Sequence, residues 1–173
     1  MSFASSPNVA RQPRPQQSDP IVFVVDDDVS VRESLELLIG TAGWRPETFE
    51  SAGAFLSRPR VDVPNCLILD IALPDLNGLE LQRRVADDRR DLPIIFITGY
   101  SDVPMTVQAM KAGAVEFLTK PFDGDTLLDA VAGAIERSRA ALSHEAELRE
   151  LRERYEPLSR REREVMALDL VVR

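Results

Sequence analysis

Charged and hydroxyl side chains stand at the ends of four short apolar runs of the sequence. The runs are rich in Val, Ile, Leu and Phe, which is typical of strands buried on both faces of a parallel sheet. The polar residues that follow them are, in chain order, Asp26, Asp27, Asp28, Asp70, Thr98 and Lys120. In an open parallel sheet, reactive groups collect outside the carboxyl ends of the strands, so we expect these side chains to lie together.

These residue types suit the transfer of a phosphoryl group to a carboxylate oxygen. Two carboxylates about 4 Å apart repel by about 4 kcal/mol at an effective dielectric constant of about 20, so a compensating cation is needed. Mg²⁺ prefers oxygen ligands, and Lys120 supplies a fixed positive charge. Both cations would shield the charge of the transferring group, and the Thr98 hydroxyl would hydrogen-bond one of its oxygens.

The apolar runs alternate with segments of helical periodicity, which predicts one doubly wound α/β domain. Residues 29–42 have apolar side chains at helical spacing, and Gly43 ends this helix. A weaker strand at 44–49 and a helix from Ala52 complete five strand–helix units in about 120 residues.

Residues 20 to about 137 resemble a receiver domain of two-component response regulators. The motifs that carry the resemblance are Val25-Asp26-Asp27, residues 69–78 around Asp70, Thr98-Gly99 and Lys120-Pro121-Phe122. The stretch 102–114 is similar to regulators of the FixJ/NarL type. The resemblance implies a flavodoxin-like, five-stranded parallel sheet in the order 2-1-3-4-5, with a C-terminal helix that extends into a linker.

The resemblance also implies a role for each site residue. Asp70 would accept the phosphoryl group from a histidine kinase, and Thr98 and Lys120 would bind the phosphoryl oxygens. Phe117 would turn inward when the threonine moves, and the bond before Pro121 is expected to be cis. The implied Mg²⁺ ligands are the carboxylates of Asp27 and Asp70 and the backbone carbonyl of Ala72, with Asp26 acting mainly through water.

The C-terminal part of the sequence predicts a linker helix and the start of an output domain. Leu148, Leu151 and Tyr155 have the spacing of a coiled-coil-like helix. Residues 158–165 are similar to the opening of LuxR-type helix-turn-helix domains. The expected regions are a disordered leader (1–19), the receiver domain (20–137), the linker (138–156) and a truncated helix-turn-helix domain (157–173).

Composition limits the partners of the predicted domain. The net charge is −8, and residues 137–173 carry nine Arg against eight acidic residues, so the excess of acid lies before them. Such a surface repels nucleic acid, and a truncated helix-turn-helix domain lacks its recognition helix. We therefore expect specific DNA binding from the full-length parent only. The lone Cys66, the lack of a long apolar run and the lack of a signal peptide indicate a cytoplasmic protein with no membrane partner.

The predicted function is a switch rather than an enzyme, since the domain would assist only its own phosphorylation and dephosphorylation. Phosphorylation of Asp70 would promote homodimerisation through a face that includes Val103, Met105 and Val107, and so control transcription. Two alternatives remain. One is a stand-alone receiver that acts as a protein-interaction module. The other is a phosphatase of the haloacid-dehalogenase type, with Asp26 as nucleophile and Asp28 as acid/base, which leaves Asp70 without a clear role.

Overall fold

The computed structural model of the protein describes residues 19–100 and 102–155, and beyond them only residues 162, 164, 165, 167 and 168. Its elements are β1 (Ile21–Val25), α1 (Val29–Thr41), β2 (Arg45–Phe49), α2 (Ala52–Leu56), β3 (Asn65–Asp70), α3 (Gly78–Asp88), β4 (Ile94–Thr98), α4 (Val103–Lys111), β5 (Glu116–Thr119) and α5 (Gly124–Tyr155). Nearly all of the predicted leader and of the predicted helix-turn-helix segment lies outside the described residues. None of the helices in the described part is long and apolar enough to cross a membrane.

The five strands form one parallel sheet in the order β2-β1-β3-β4-β5, which confirms the predicted fold. Val25 at the end of β1 pairs with Leu69 of β3, and Thr98 at the end of β4 pairs with Thr119 of β5. Because all strands run in the same direction, the residues that follow these ends reach one edge of the sheet.

The sheet separates two apolar layers, because successive side chains of a strand point to opposite faces. Val22 and Val24 of β1 pack with Leu35 of α1 and Val131 of α5. Residues of alternate position on the strands pack on the opposite face with side chains of α2, α3 and α4, namely Phe23, Leu67, Phe96, Phe55, Leu81 and Ala109. Helices therefore cover both faces of the sheet, which explains why the central strands are apolar throughout.

The strand that was weakest in the sequence is the edge strand β2. Among the residues that the structure describes it pairs with β1 alone, and none of its five residues is fully buried. Its Pro46 is tolerated because an edge strand leaves one row of backbone groups unpaired. The strand begins at Arg45, one residue after the predicted start.

The predicted last helix and the predicted linker form one continuous helix, α5, of 32 residues. At about 1.5 Å per residue it is about 48 Å long, which is well beyond the height of the sheet. Its buried residues end at Ser138, and no residue from 139 to 155 is buried. The proposed boundary between receiver and linker thus lies inside a helix rather than in a loop.

We predict that Gly78→Ala destabilises the fold at the segment that carries Asp70. A Cβ at position 78 would lie 2.8 Å from the carbonyl oxygen of Asp70 and 2.8 Å from the Cα of Ile71. Since both are backbone atoms, the strand end must shift, and the free energy of unfolding should fall by about 1–3 kcal/mol in urea denaturation. The matched control is Gly133→Ala in α5, where a Cβ meets nothing within 4 Å; it should raise stability by about 0.5–1 kcal/mol. Equal effects of the two substitutions would contradict this account of Gly78.

Candidate functional site

A lysine ammonium lies between two carboxylates at the carboxyl edge of the sheet. The Lys120 Nζ is 2.8 Å from Oδ2 of Asp26 and 3.1 Å from Oδ2 of Asp70. Asp26 follows β1, Asp70 ends β3 and Lys120 follows β5. The Lys120 ammonium therefore links the ends of three strands. The backbone N–H of Lys120 donates to the carbonyl of Thr98 at 2.7 Å, which ties the end of β5 to β4.

Backbone donors hold the remaining oxygen of each carboxylate. Oδ1 of Asp26 accepts from the N–H of Asp28 at 2.9 Å, and Oδ1 of Asp70 accepts from the N–H of Ala72 at 3.0 Å. Asp26 is fully buried, and Asp70 is 5% exposed. Buried polar groups are costly unless they are hydrogen-bonded, so these contacts fix both carboxylates in one orientation.

Burial, neighbouring charges and hydrogen bonds together shift the pKa values of Asp70 and Lys120. Burial raises the pKa of Asp70, the nearby charge of Asp26 raises it further, and hydrogen bonds from Ala72 and Lys120 only partly offset this. Burial alone would lower the pKa of Lys120, but its hydrogen bonds and charge interactions with Asp26 and Asp70 outweigh burial, so that pKa is raised. The lysine is therefore a fixed positive charge at neutral pH.

A third carboxylate completes an oxygen-rich cluster. Carboxylate oxygens of Asp26, Asp27 and Asp70 all lie within 4.8 Å of one another, and Asp27 is exposed to solvent. Three carboxylates face a single ammonium here, which leaves an excess of two negative charges. This donor set fits a divalent cation with a preference for oxygen ligands.

The side chains of two predicted site residues, Thr98 on β4 and Phe117 on β5, make no hydrogen bond with the side chains of Lys120, Asp26 or Asp70 among the contacts of the described residues. Thr98 is buried, and its hydroxyl donates to the carbonyl of Tyr100 at 2.8 Å rather than to a carboxylate. Phe117 on β5 is partly buried and packs against Phe96 with ring centroids 6.1 Å apart. The peptide bond between Lys120 and Pro121 is cis.

Asp28 has a structural role that the sequence analysis did not assign to it. It is the N-cap of α1, and its Oδ1 accepts from both the N–H and the hydroxyl of Ser30, at 2.9 and 2.7 Å. The hydroxyl hydrogen bond of Ser30 lowers the pKa of Asp28. An exposed capping carboxylate with a lowered pKa is a poor proton donor, which disfavours the phosphatase alternative.

Asp75 was also not predicted to contact another element. Its side chain accepts from the N–H of Gly53 at 2.9 Å and of Ala52 at 3.3 Å, so the loop after β3 is joined to the start of α2. The hydrogen bond from Gly53 contributes most to the lowered pKa of Asp75. No local pattern in the sequence indicates a partner 22 residues away.

Comparison with known proteins identifies the family. A family model of the response regulator receiver domain matches residues 22–132. The chain belongs to the response-regulator receiver family. The site described above lies at the strand ends of that matched region, and the resemblance seen in the sequence is confirmed.

The similar proteins include regulators of the FixJ type. Nodulation protein W of Bradyrhizobium diazoefficiens is 48% identical over 148 residues, which is 86% of this chain and 65% of that protein. Transcriptional regulatory protein FixJ of Rhizobium meliloti is 40% identical over 151 residues, which is 87% of this chain and 74% of that protein. The solved structure of the response regulator StyR has a TM-score of 0.80 and 42% identity, over 88% of this chain and 77% of that one. The chain thus spans less than two thirds of nodulation protein W.

We predict that Asp70→Asn raises the free energy of unfolding at pH 7 in metal-free buffer. Because the pKa of Asp70 is raised, the folded state favours its protonated form, and this contribution is present below the ordinary value of 3.8 and lost as the pH rises through the folded-state pKa. The gain from the neutral amide should therefore be larger at pH 7 than at pH 4, close to the ordinary value of 3.8. Urea denaturation in chelator at both pH values measures it. If Asp70→Asn were less stable than the wild type at pH 7, the buried charge of Asp70 would not destabilise the folded state, which would contradict this account.

Proposed function

We propose that Asp70 accepts a phosphoryl group from a phosphohistidine of a sensor kinase, and that this modification switches the oligomeric state of the receiver. The observation that carries the proposal is the Lys120 ammonium, which bonds to both Asp26 and Asp70 at the edge where Thr98 also ends its strand. The domain assists only its own phosphorylation and dephosphorylation, as its family membership supports.

The transfer is a nucleophilic substitution at phosphorus. A carboxylate oxygen of Asp70 attacks, a P–O bond forms, the P–N bond to the kinase imidazole breaks, and the leaving nitrogen keeps the electron pair. Lys120 stabilises the developing negative charge because its ammonium is already 3.1 Å from Asp70. The N–H of Ala72 holds the other carboxylate oxygen during the approach.

The excess negative charge of the cluster supports Mg²⁺ as the cofactor. The carboxylates of Asp27 and Asp70 and the carbonyl of Ala72 would hold the ion, with Asp26 orienting its water. When bound, the ion neutralises charge on the phosphoryl oxygens.

Phosphorylation then changes the surface through Thr98 and Phe117. The Thr98 hydroxyl exchanges the carbonyl of Tyr100 for a phosphoryl oxygen, and Phe117 turns further inward beside Phe96. The surface that receives this change is α4, whose Val103 and Val107 are 76% and 43% exposed. Met105, expected on the same surface, instead packs against the core. We assign homodimerisation to the exposed face of α4 together with β5 and α5.

The relatives support a proposal for the role of the whole protein. Relatives named as transcriptional regulators, such as FixJ of Rhizobium meliloti, support control of transcription. We assign residues 20–137 to the receiver, 138–156 to the linker and 157–173 to the start of a helix-turn-helix domain, so DNA binding belongs to the full-length protein. We assign the protein to the cytoplasm, where a sensor kinase and DNA would both be accessible to it.

We predict that incubation with acetyl phosphate and Mg²⁺ adds one phosphoryl group, read as intact mass, and that Asp70→Asn abolishes the gain. The matched control is Asp28→Asn, which keeps a good N-cap at α1 and should be phosphorylated like the wild type. Omission of Mg²⁺ should also abolish the gain. A gain that persists in Asp70→Asn, or is lost in Asp28→Asn, would move the phosphoacceptor to the three aspartates after β1.

A further inference from the structure

We propose that a cleft between α5 and the amino edge of the sheet binds a phosphorylated small molecule that carries at least two negative charges. The cleft is separate from the phosphoacceptor, because Asp70 lies at the carboxyl edge of the same sheet. The site therefore goes beyond the proposed function and does not depend on it.

Two parts of the chain form the walls of the cleft. One wall is the stretch of α5 from Ala141 to Arg152. The other consists of Arg60 in the loop before β3 and of Arg90 and Asp91 in the loop before β4. The cleft has a volume of about 460 Å³, and small-molecule sites typically have volumes of about 300–1,000 Å³. A ligand of that size would contact the receiver and the linker together.

A network of polar contacts fixes the two walls relative to each other. The Arg60 Nη2 is 2.7 Å from Oε2 of Glu145 on α5 and 2.9 Å from Oδ1 of Asp91, which is only 4% exposed. The side-chain amide of Asn65 donates to Oδ2 of Asp91 at 3.3 Å, and the Asn65 N–H donates to the hydroxyl of Ser138 at 2.9 Å. Because these contacts join α5 to both loops, the cleft is formed before any ligand arrives.

The cleft has an excess of positive charge. Its four arginines face two acidic side chains, and both of those acidic groups are engaged by Arg60. Among the residues that the structure describes, Arg90, Arg149 and Arg152 have no ion pair. Four positive charges less two negative charges leave two, so a dianion would balance the cleft.

The types of side chain in the cleft favour a phosphate group as the dianion. A guanidinium presents paired N–H donors that match the oxygens of a phosphate. Arg149 and Arg152 are three residues apart on α5, so their side chains lie on the same side of the helix, and Arg90 lines the opposite wall. Leu148 is 43% exposed and adds apolar surface beside them, which suits a ligand with a carbon skeleton next to its phosphate.

Other sources of negative charge fit the cleft less well. Residues 1–18 contain two Arg and no acidic residue, and residues 156–173 contain four acidic residues and four Arg, so neither end of the chain supplies two negative charges. A long polyanion such as DNA would meet the acidic surface of the receiver as well as the cleft. Charge and volume together favour a compact anion.

A bound phosphate would join the linker to the receiver. No residue from 139 to 155 of α5 is buried, and a helix segment without buried side chains opens easily. A ligand that contacts Arg90 on one wall and Arg149 on the other stabilises the closed, helical state of this segment. The ligand thus controls how rigidly α5 continues the receiver.

Calorimetric titration with inorganic pyrophosphate tests the site in the 173-residue chain. Chelator keeps the aspartate cluster at the opposite edge free of divalent cations and therefore negative, and salt at about 0.15 M screens unspecific attraction. We expect one pyrophosphate per chain. Arg90→Gln and Arg149→Gln should each weaken binding roughly tenfold, because each removes one charge-assisted hydrogen-bonding group.

The matched control is Arg137→Gln, which removes the same charge from α5 outside the cleft and should bind like the wild type. No binding by the wild type, or equal weakening by Arg137→Gln, would overturn the site. An effect of only one of the two cleft substitutions would overturn a ligand that contacts both walls. Citrate, whose charges are carboxylates, should bind several-fold more weakly than pyrophosphate, and equal affinities would overturn the assignment to phosphate.

Hydrogen exchange of the backbone amides of residues 142–155 tests the link between the walls. Pyrophosphate at a concentration that saturates the wild type should slow this exchange several-fold, and should slow it less in Arg149→Gln. Binding with unchanged exchange would overturn the stabilisation of the linker. None of these measurements requires phosphorylation of Asp70, so the site and the proposed function fail separately.

Discussion

The ammonium of Lys120 between two carboxylates is the interaction on which the site depends. Asp26 is fully buried and Asp70 nearly so, and without a cation between them both charges would repel at short range in a poorly solvated place. Asp26, Asp70 and Lys120 are brought together only because three parallel strands end at the same level. The apolar layers on both faces of the sheet fix that level, so the core and the site are not independent.

The cluster also explains why the site is suited to receive charge. Its three carboxylates exceed its one ammonium, so a divalent cation would restore the balance, and an incoming phosphoryl group would then meet two positive partners. Thr98 is kept nearby by its hydrogen bond to Tyr100, and Phe117 lies against Phe96 on the adjacent strand. In the proposed switch, Thr98 and Phe117 would connect Asp70 with the surface of α4 and β5.

The sequence was most informative where burial leaves few choices. The apolar runs that precede Asp26, Asp70 and Thr98 are strands β1, β3 and β4 of the structure, because strands covered on both faces admit little except Val, Ile, Leu and Phe. Since parallel strands share an edge, the same runs also predict that Asp26, Asp70 and Lys120 meet. The edge strand β2 was weak in the sequence because its side chains are only partly buried and so need not be apolar.

Several polar contacts could not be assigned from the sequence. Asp28 belongs to a motif that is also found in phosphatases of the haloacid-dehalogenase type. The hydrogen bonds that its side chain accepts from Ser30 favour a helix-capping role over the acid/base role. The contacts of Asp75 with α2 and of Arg60 with α5 join residues far apart in the chain. The predicted extension of the C-terminal helix into a linker is confirmed by α5, whose buried residues end at Ser138 while its helical backbone continues to Tyr155.

The most direct test of the account is a crystal structure with Mg²⁺ and beryllofluoride, a non-transferable mimic of the phosphoryl group. The account predicts beryllofluoride on a carboxylate oxygen of Asp70, with the Lys120 ammonium and the Thr98 hydroxyl both bonded to it and the bond from Thr98 to the Tyr100 carbonyl broken. Beryllofluoride on Asp26, or a Thr98 hydroxyl that still donates to Tyr100 while Asp70 is modified, would contradict it.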